Sequence, residues 1–216
     1  MKTGQRRLTH SKRATALLVV AITLLFSLPA NSYACACCAD DGEWNEGKAK
    51  IDDSTLKEIN LLNPAPTASL YTTDAFPDGT TGIAGIAEGS SQSYGVSLSR
   101  DGRKWTLVLT DNKGRRGTLV FSVPLAATFL NADIHDGLKG GGGGPLLYKE
   151  LRLEGKVWGN GIFAKGITAD TKFRLVLQGR GNRCSSAEDF KNWNLRISGP
   201  KANYSFYGSF ARPASQ

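Results

Sequence analysis

The side chains best equipped for chemistry are four cysteines: Cys35, Cys37 and Cys38 within CACCADDGEW, and Cys184 at the end of QGRGNRC. Two chemistries suit them. In an exported chain an even count reads as disulfides. Every pairing then joins Cys184 to one member of the cluster. The rings that Cys35–Cys37 or Cys37–Cys38 would close are small and strained, which favours Cys35–Cys38 with Cys37–Cys184. The alternative is a metal or redox site, because C-x-C-C packs soft thiolates close together and such ligands suit Cu(I) or Zn. A structural zinc site normally repeats its C-x₂₋₄-C pair, and this chain has no second pair. Disulfides therefore outweigh metal and no cofactor is expected, with copper or zinc as the alternative.

His135 is the other candidate ligand, held between Asp133 and Asp136 just ahead of the run Gly140–Gly144. A histidine between carboxylates can bind a metal or act as a general base, with the glycines as a lid. A polar loop turning at Asp136-Gly137 accounts for the same residues without chemistry, and spacing ties no nucleophile or second ligand to His135. Arg180 and Arg183 lie in Gly-Arg-Gly-Asn-Arg, where backbone amides could face an anion; a hairpin loop pinned by Cys184 explains the glycines equally. Trp158, in Val-Trp-Gly-Asn-Gly, is the aromatic placed to stack on a sugar ring or line a pocket. Trp105 and Trp193 fall at apolar phases and read as core.

No G-x-S-x-G, H-E-x-x-H or phosphate-loop motif occurs. Glu150 and Glu154 share a strand face with Arg152, the pattern of a solvated ion-pair face. A glycosidase pair is defined by the separation of its carboxyls, which spacing along the chain does not provide. The expected function is thus a non-enzymatic exported module, ligand-binding or structural, acting at one end of a barrel or sandwich. A copper, zinc or redox protein built on Cys35, Cys37 and Cys38 is the second reading, and a carboxylate-dependent hydrolase the third.

Behind these residues stand 216 residues carrying 27 basic and 19 acidic side chains. Residues 1–34 hold five of the basic ones and no acid, so 22 face 19 in the remainder. That near-balance excludes a nucleic-acid binder. The basic start, the apolar stretch Ala14–Leu28 and the small residues of Ser32-Tyr33-Ala34 match a secretory signal peptide cleaved after Ala34. The apolar stretch is short of the roughly 20 residues that span a bilayer, and no longer one follows it. A secreted or periplasmic protein with no integral membrane segment after signal removal is expected. Its oligomeric state and ligand are not legible.

The elements that must position these residues follow from periodicity. Residues 35–53 read as a Cys-rich strap. Thr55 with Glu58 fits a capping box for a two-turn helix over 55–62. Ser93–Arg100, Lys104–Thr110 and Thr118–Val123 alternate apolar and polar around Asp-Gly and Asp-Asn-Lys-Gly turns, an antiparallel meander. Leu147–Glu154, Phe173–Gln178, Trp193–Ile197 and Asn203–Phe210 alternate likewise, and Ser185 with Glu188 suggests a short helical turn over 186–192. The fold class is all-β: a single antiparallel barrel or sandwich of about eight strands over residues 54–216, with one or two short helices and a flexible Gly-rich loop at 139–145.

Overall fold

The computed structural model of the chain describes residues 44–71, 85–86, 92–132, 139–140, 144–145, 147–181 and 186–211. Residues 139–140 and 144–145 are described as backbone only. In chain order the elements are β1 (Trp44–Lys50), α1 (Asp53–Asn60), β2 (Thr67–Tyr71), β3 (Ser93–Asp101), β4 (Lys104–Asp111), β5 (Arg116–Ser122), β6 (Ala126–Ala132) and β7 (Lys139–Gly140). They continue with β8 (Gly144–Pro145), β9 (Tyr148–Gly161), β10 (Lys172–Arg180), β11 (Phe190–Gly199) and β12 (Ala202–Ser209).

The fold is a closed antiparallel β-barrel, as the alternation implies. Strands run β9-β10-β11-β12-β2-β3-β4-β5, and β5 returns to pair with β9 through Gly117–Gly161 to Phe121–Val157. Closure removes the free edges that an open sheet of this size would expose. Two further strands extend it. The first half of β9 pairs with β6 (Thr128–Arg152 to Ala132–Tyr148), and β6 pairs with β1. β9 therefore serves two neighbours on one edge, β6 with its first five residues and β5 with its last five.

That double duty explains the main departure from the periodic reading. Val157–Gly161, beyond the strand Leu147–Glu154 that alternation implies, is the end of β9. Its glycines are packing sites: an added Cβ would lie 2.6 Å from Ile167 at Gly159 and 3.0 Å from Phe173 at Gly155. They let large side chains close over a bent strand, so they interrupt the hydrophobic pattern without interrupting the strand. Gly161 has φ +61°, and its missing Cβ leaves room for the Arg116 carbonyl. Within the Gly-rich segment, Lys139–Gly140 pairs with Gly144–Pro145 in a two-residue ladder.

Alternation fills the barrel. Leu107, Leu109, Leu119, Leu153, Leu175, Leu177, Leu195 and Ile197 point inward and are buried. Aromatic side chains complete the interior: Phe121 packs on Phe173 (centroids 4.6 Å apart) and Trp105 (6.0 Å), while Tyr94, Phe163 and Tyr204 each lie within 6 Å of Phe206. The void left among Trp105, Leu107, Phe121, Leu177 and Trp193 is about 20 Å³, room for roughly one water.

α1 caps the mouth beside the β3–β4 turn. Its N-cap is Asp52, whose Oδ1 accepts from the Thr55 N–H at 2.8 Å. The helix thus starts two residues earlier than the Thr55–Glu58 box suggests, because Asp52 is the stronger cap at that boundary. Glu58 instead accepts from the Ala187 N–H at 3.0 Å. Ile59 and Leu62 enter the core with Leu56 packed beside them, and Asn60 Oδ1 accepts from Trp105 Nε1 at 2.9 Å. Arg100 reaches from β3 to Asn63 Oδ1 (3.1 Å) and the Leu62 carbonyl, lying 4.9 Å over the Trp105 ring. The second helical turn is one 3₁₀ turn, Ala187–Asp189, and Phe190 already belongs to β11. Among the described residues no helix is long and apolar enough to cross a membrane.

Candidate functional site

A packed interior moves the question of binding to the outer wall. Along each strand the residues between core positions face outward, and the register sets them in rows. One row runs Val176, Asn194, Tyr207, Ser69 and Ser93 across β10, β11, β12, β2 and β3. A second, two residues along, runs Gln178, Asn192 and Ser209. All of these but Val176, together with Thr67, line an open hollow of about 570 Å³, within the 300–1,000 Å³ typical of small-molecule sites. Local sequence builds it simply. Asn192 and Asn194 flank Trp193, whose ring is driven inward, so both amides turn out. Gly208 has no Cβ to hold the Trp193 ring away, since one there would lie 2.9 Å from it.

The lining is uncharged. Asn192, Asn194 and Tyr207 make no side-chain hydrogen bond to another described residue, and Tyr207 is 48% exposed. Gln178 differs, because its Nε2 donates to Tyr148 Oη (3.2 Å) and Glu150 Oε1 (3.3 Å).

Through Gln178 the hollow meets a charged region on β9. Tyr148 donates to Glu150 Oε1 at 2.5 Å, and Arg152 sets Nε and Nη2 each 2.6 Å from Glu150 Oε2. Arg152 Nη1 reaches Glu46 Oε1 on β1 at 3.0 Å, spanning β6. Burial would raise the Glu150 pKa, but hydrogen bonds from Tyr148, Arg152 and Gln178 hold it below the usual carboxylate range. Burial together with the Glu150 carboxylate pushes the Tyr148 phenol up to about 12, and the same carboxylate raises Arg152. Glu154 pairs with Arg174. The face of Glu150, Arg152 and Glu154 is thus the ion-pair face that the sequence implies. The described carboxylates with displaced pKa values, Asp52, Asp111 and Glu150, all move downward. That is the direction of a paired anion, opposite to the one a general acid needs.

The residues singled out from sequence fare unequally. Cys35, Cys37, Cys38 and Cys184 lie outside the described residues, as do Asp133, His135, Asp136 and Arg183. Among the described residues no three His, Cys, Asp or Glu side chains cluster as metal ligands would. Trp158 is 59% exposed but stands on the other part of the wall, in the row Trp158–Val120–Thr106–Ser99. Arg180 is exposed opposite Tyr148 and does not line the hollow. Trp105 and Trp193 are core, as their phase implies. The residues missed are Asn192, Asn194, Tyr207 and Ser69. One signal was present: Tyr207 is a large aromatic at the polar phase of β12, between Ser205 and Ser209.

Comparison with family models, with curated proteins and with solved structures finds no match to this chain.

Proposed function

We propose that this protein is an exported, non-enzymatic binding module, in which the barrel is a scaffold and the ligand docks in the uncharged hollow on the outer wall of β11, β12 and β2. The observation that carries this reading is the set Asn192, Asn194 and Tyr207. Their side-chain hydrogen-bonding groups line a hollow of about 570 Å³ and are used by no other described residue, whereas the void among the core residues Trp105, Phe121 and Trp193 holds about 20 Å³. Support for export comes from the basic and apolar composition of residues 1–34 and the small residues before Cys35. On this reading the mature chain starts at Cys35 and enters an oxidising compartment, where Cys35–Cys38 and Cys37–Cys184 form. An intact mass retaining Met1–Ala34 in the exported form contradicts that part.

Binding is tested by thermal unfolding against a chemically varied panel of polar small molecules and oligomers. A ligand at a hundred times its Kd adds about 2.7 kcal/mol to stability, a rise of several degrees. The rise should vanish in the Asn194→Ala, Tyr207→Ala double variant. A rise retained in that variant, or none across the panel, refutes the outer-wall site.

A further inference from the structure

We infer that the ligand of the outer wall is a neutral glycan, an uncharged oligosaccharide segment laid across β11, β12 and β2. This rests on the binding reading above and adds the chemistry of what is bound. The first argument is charge. None of the residues lining the hollow is ionisable at neutral pH, in a chain where 21% of residues are charged. A cationic ligand would find no counter-charge in this lining, and an anionic one would find only Arg196 at the rim, next on the outward phase of β11 and engaged with Asn203 Oδ1.

The second argument is the kind of polarity. Each carboxamide of Asn192 and Asn194 presents an acceptor and donors in one plane, and the hydroxyls of Ser69 and Tyr207 each both donate and accept. A partner that satisfies such a set must itself mix donors and acceptors at short intervals without charge. Vicinal hydroxyls do this. An apolar ligand would instead bury these groups unpaired, at about 1–3 kcal/mol each.

The third argument is shape. Tyr207 sits between Asn194 and Ser69 in the register, so its half-exposed ring has a short neighbour on one side. An aromatic ring presented this way offers an apolar surface with a polar tip, the complement of a pyranose with its C–H face and hydroxyl rim. From Asn194 to Ser93 the row crosses three strand spacings, roughly 14 Å, and the second row lies roughly 7 Å along the strands. The surface is long enough for more than one ring. An extended uncharged peptide would also bring donors and acceptors, but its side chains alternate between two faces and call for pockets, whereas the lining is a single shallow hollow.

The test uses the exported protein, with calorimetric titration against cellohexaose, maltohexaose, chitohexaose and mannohexaose. A sulfated oligosaccharide and an uncharged Gly/Ser/Asn peptide of similar length serve as comparators. At least one neutral hexasaccharide should bind. Its affinity should fall tenfold or more in Tyr207→Ala and in Asn194→Ala, stay within twofold of wild type in Trp158→Ala, and leave unliganded melting temperatures unchanged. Binding of only the sulfated sugar or the peptide, with the same dependence on Tyr207 and Asn194, overturns the glycan inference and leaves the outer-wall site standing. Binding of nothing, or binding indifferent to both residues, overturns the two together.

Discussion

Two regions of the barrel's outer wall, each built from the solvent-facing positions of its strands, treat polarity in opposite ways. On β9 and β10 the polar groups are charged and engage one another: Glu46, Arg152, Glu150 and Tyr148 form a connected set, and Glu154 pairs with Arg174. In the hollow on β11, β12 and β2 they are neutral, and Asn192, Asn194 and Tyr207 engage no other described residue, while Lys191 and Arg196 are exposed elsewhere on β11. The first region is internally satisfied and fastens β1 and β6 to the barrel. The second has its hydrogen-bonding capacity left over for something else. Stability and binding should therefore separate by region.

The largest effect should come where charge is most deeply buried. Lys149 Nζ meets Asp189 Oδ2 at 2.8 Å, with side chains only 3% and 12% exposed. Removing one partner of such a pair costs about 3 kcal/mol or more. Asp189→Ala should lose about that much in urea unfolding, and Lys149→Met with Asp189→Leu should recover most of it. A double variant no more stable than the single shows that the pair is not what holds this corner.

Next is Arg152→Ala, which leaves Glu150 short of its cation and removes the side-chain tie to Glu46 on β1. A loss of about 2 kcal/mol is expected, with faster amide exchange confined to β1 and β6. Uniform exchange across the barrel would argue against a fastening role.

Acid should then act on the paired carboxylates. Asp111 is buried and accepts from the Lys113 and Arg115 amides and from Arg115 Nε at 2.7 Å. Burial alone would raise its pKa, but the Arg115 and Lys113 hydrogen bonds and the Arg115 charge lower it. A folded pKa below the unfolded one stabilises fully above the ordinary value of about 4 and loses that contribution as pH falls through the folded value. Asp111→Asn should flatten the acid limb of stability against pH. Parallel limbs for the two proteins contradict the assignment.

The smallest effects belong to exposed groups. Glu154 and Arg174 are both more than half exposed, and Glu154→Gln should change stability by less than about 0.5 kcal/mol. Asn194→Ala should be as quiet in stability, within about 0.5 kcal/mol; a larger loss there would make it a structural residue and weaken its role as a binding one.

Legibility in the sequence followed local periodicity. The β3–β4–β5 meander and the inward faces of β10, β11 and β12 are plain from alternation, because each strand buries one face only. β1, β2 and β6 are short and mix Ala, Ser, Thr and Gly with few apolar residues, so their patterns fall below what alternation can reveal. The end of β9 hid behind glycines placed for Ile167 and Phe173. The candidate site was harder still. Tyr207 could be seen at a polar phase, but joining it to Asn194 and Ser69 needs the register of β11 on β12 and of β12 on β2. The second of these pairs Tyr207 with Ser69 across most of the chain. No local signal carries that information.

The central claim is that ligand engages the uncharged hollow of the outer wall, not the barrel interior. Backbone amide shifts of the purified protein, followed by NMR while each of the four neutral hexasaccharides is added, test it most directly. The account predicts saturable shifts that cluster at 67–69, 192–194 and 207–209, with residues 154–158 unmoved. Shifts centred on Trp158 or on the core residues Trp105 and Phe121, or no saturable shift with any of the four, would contradict it.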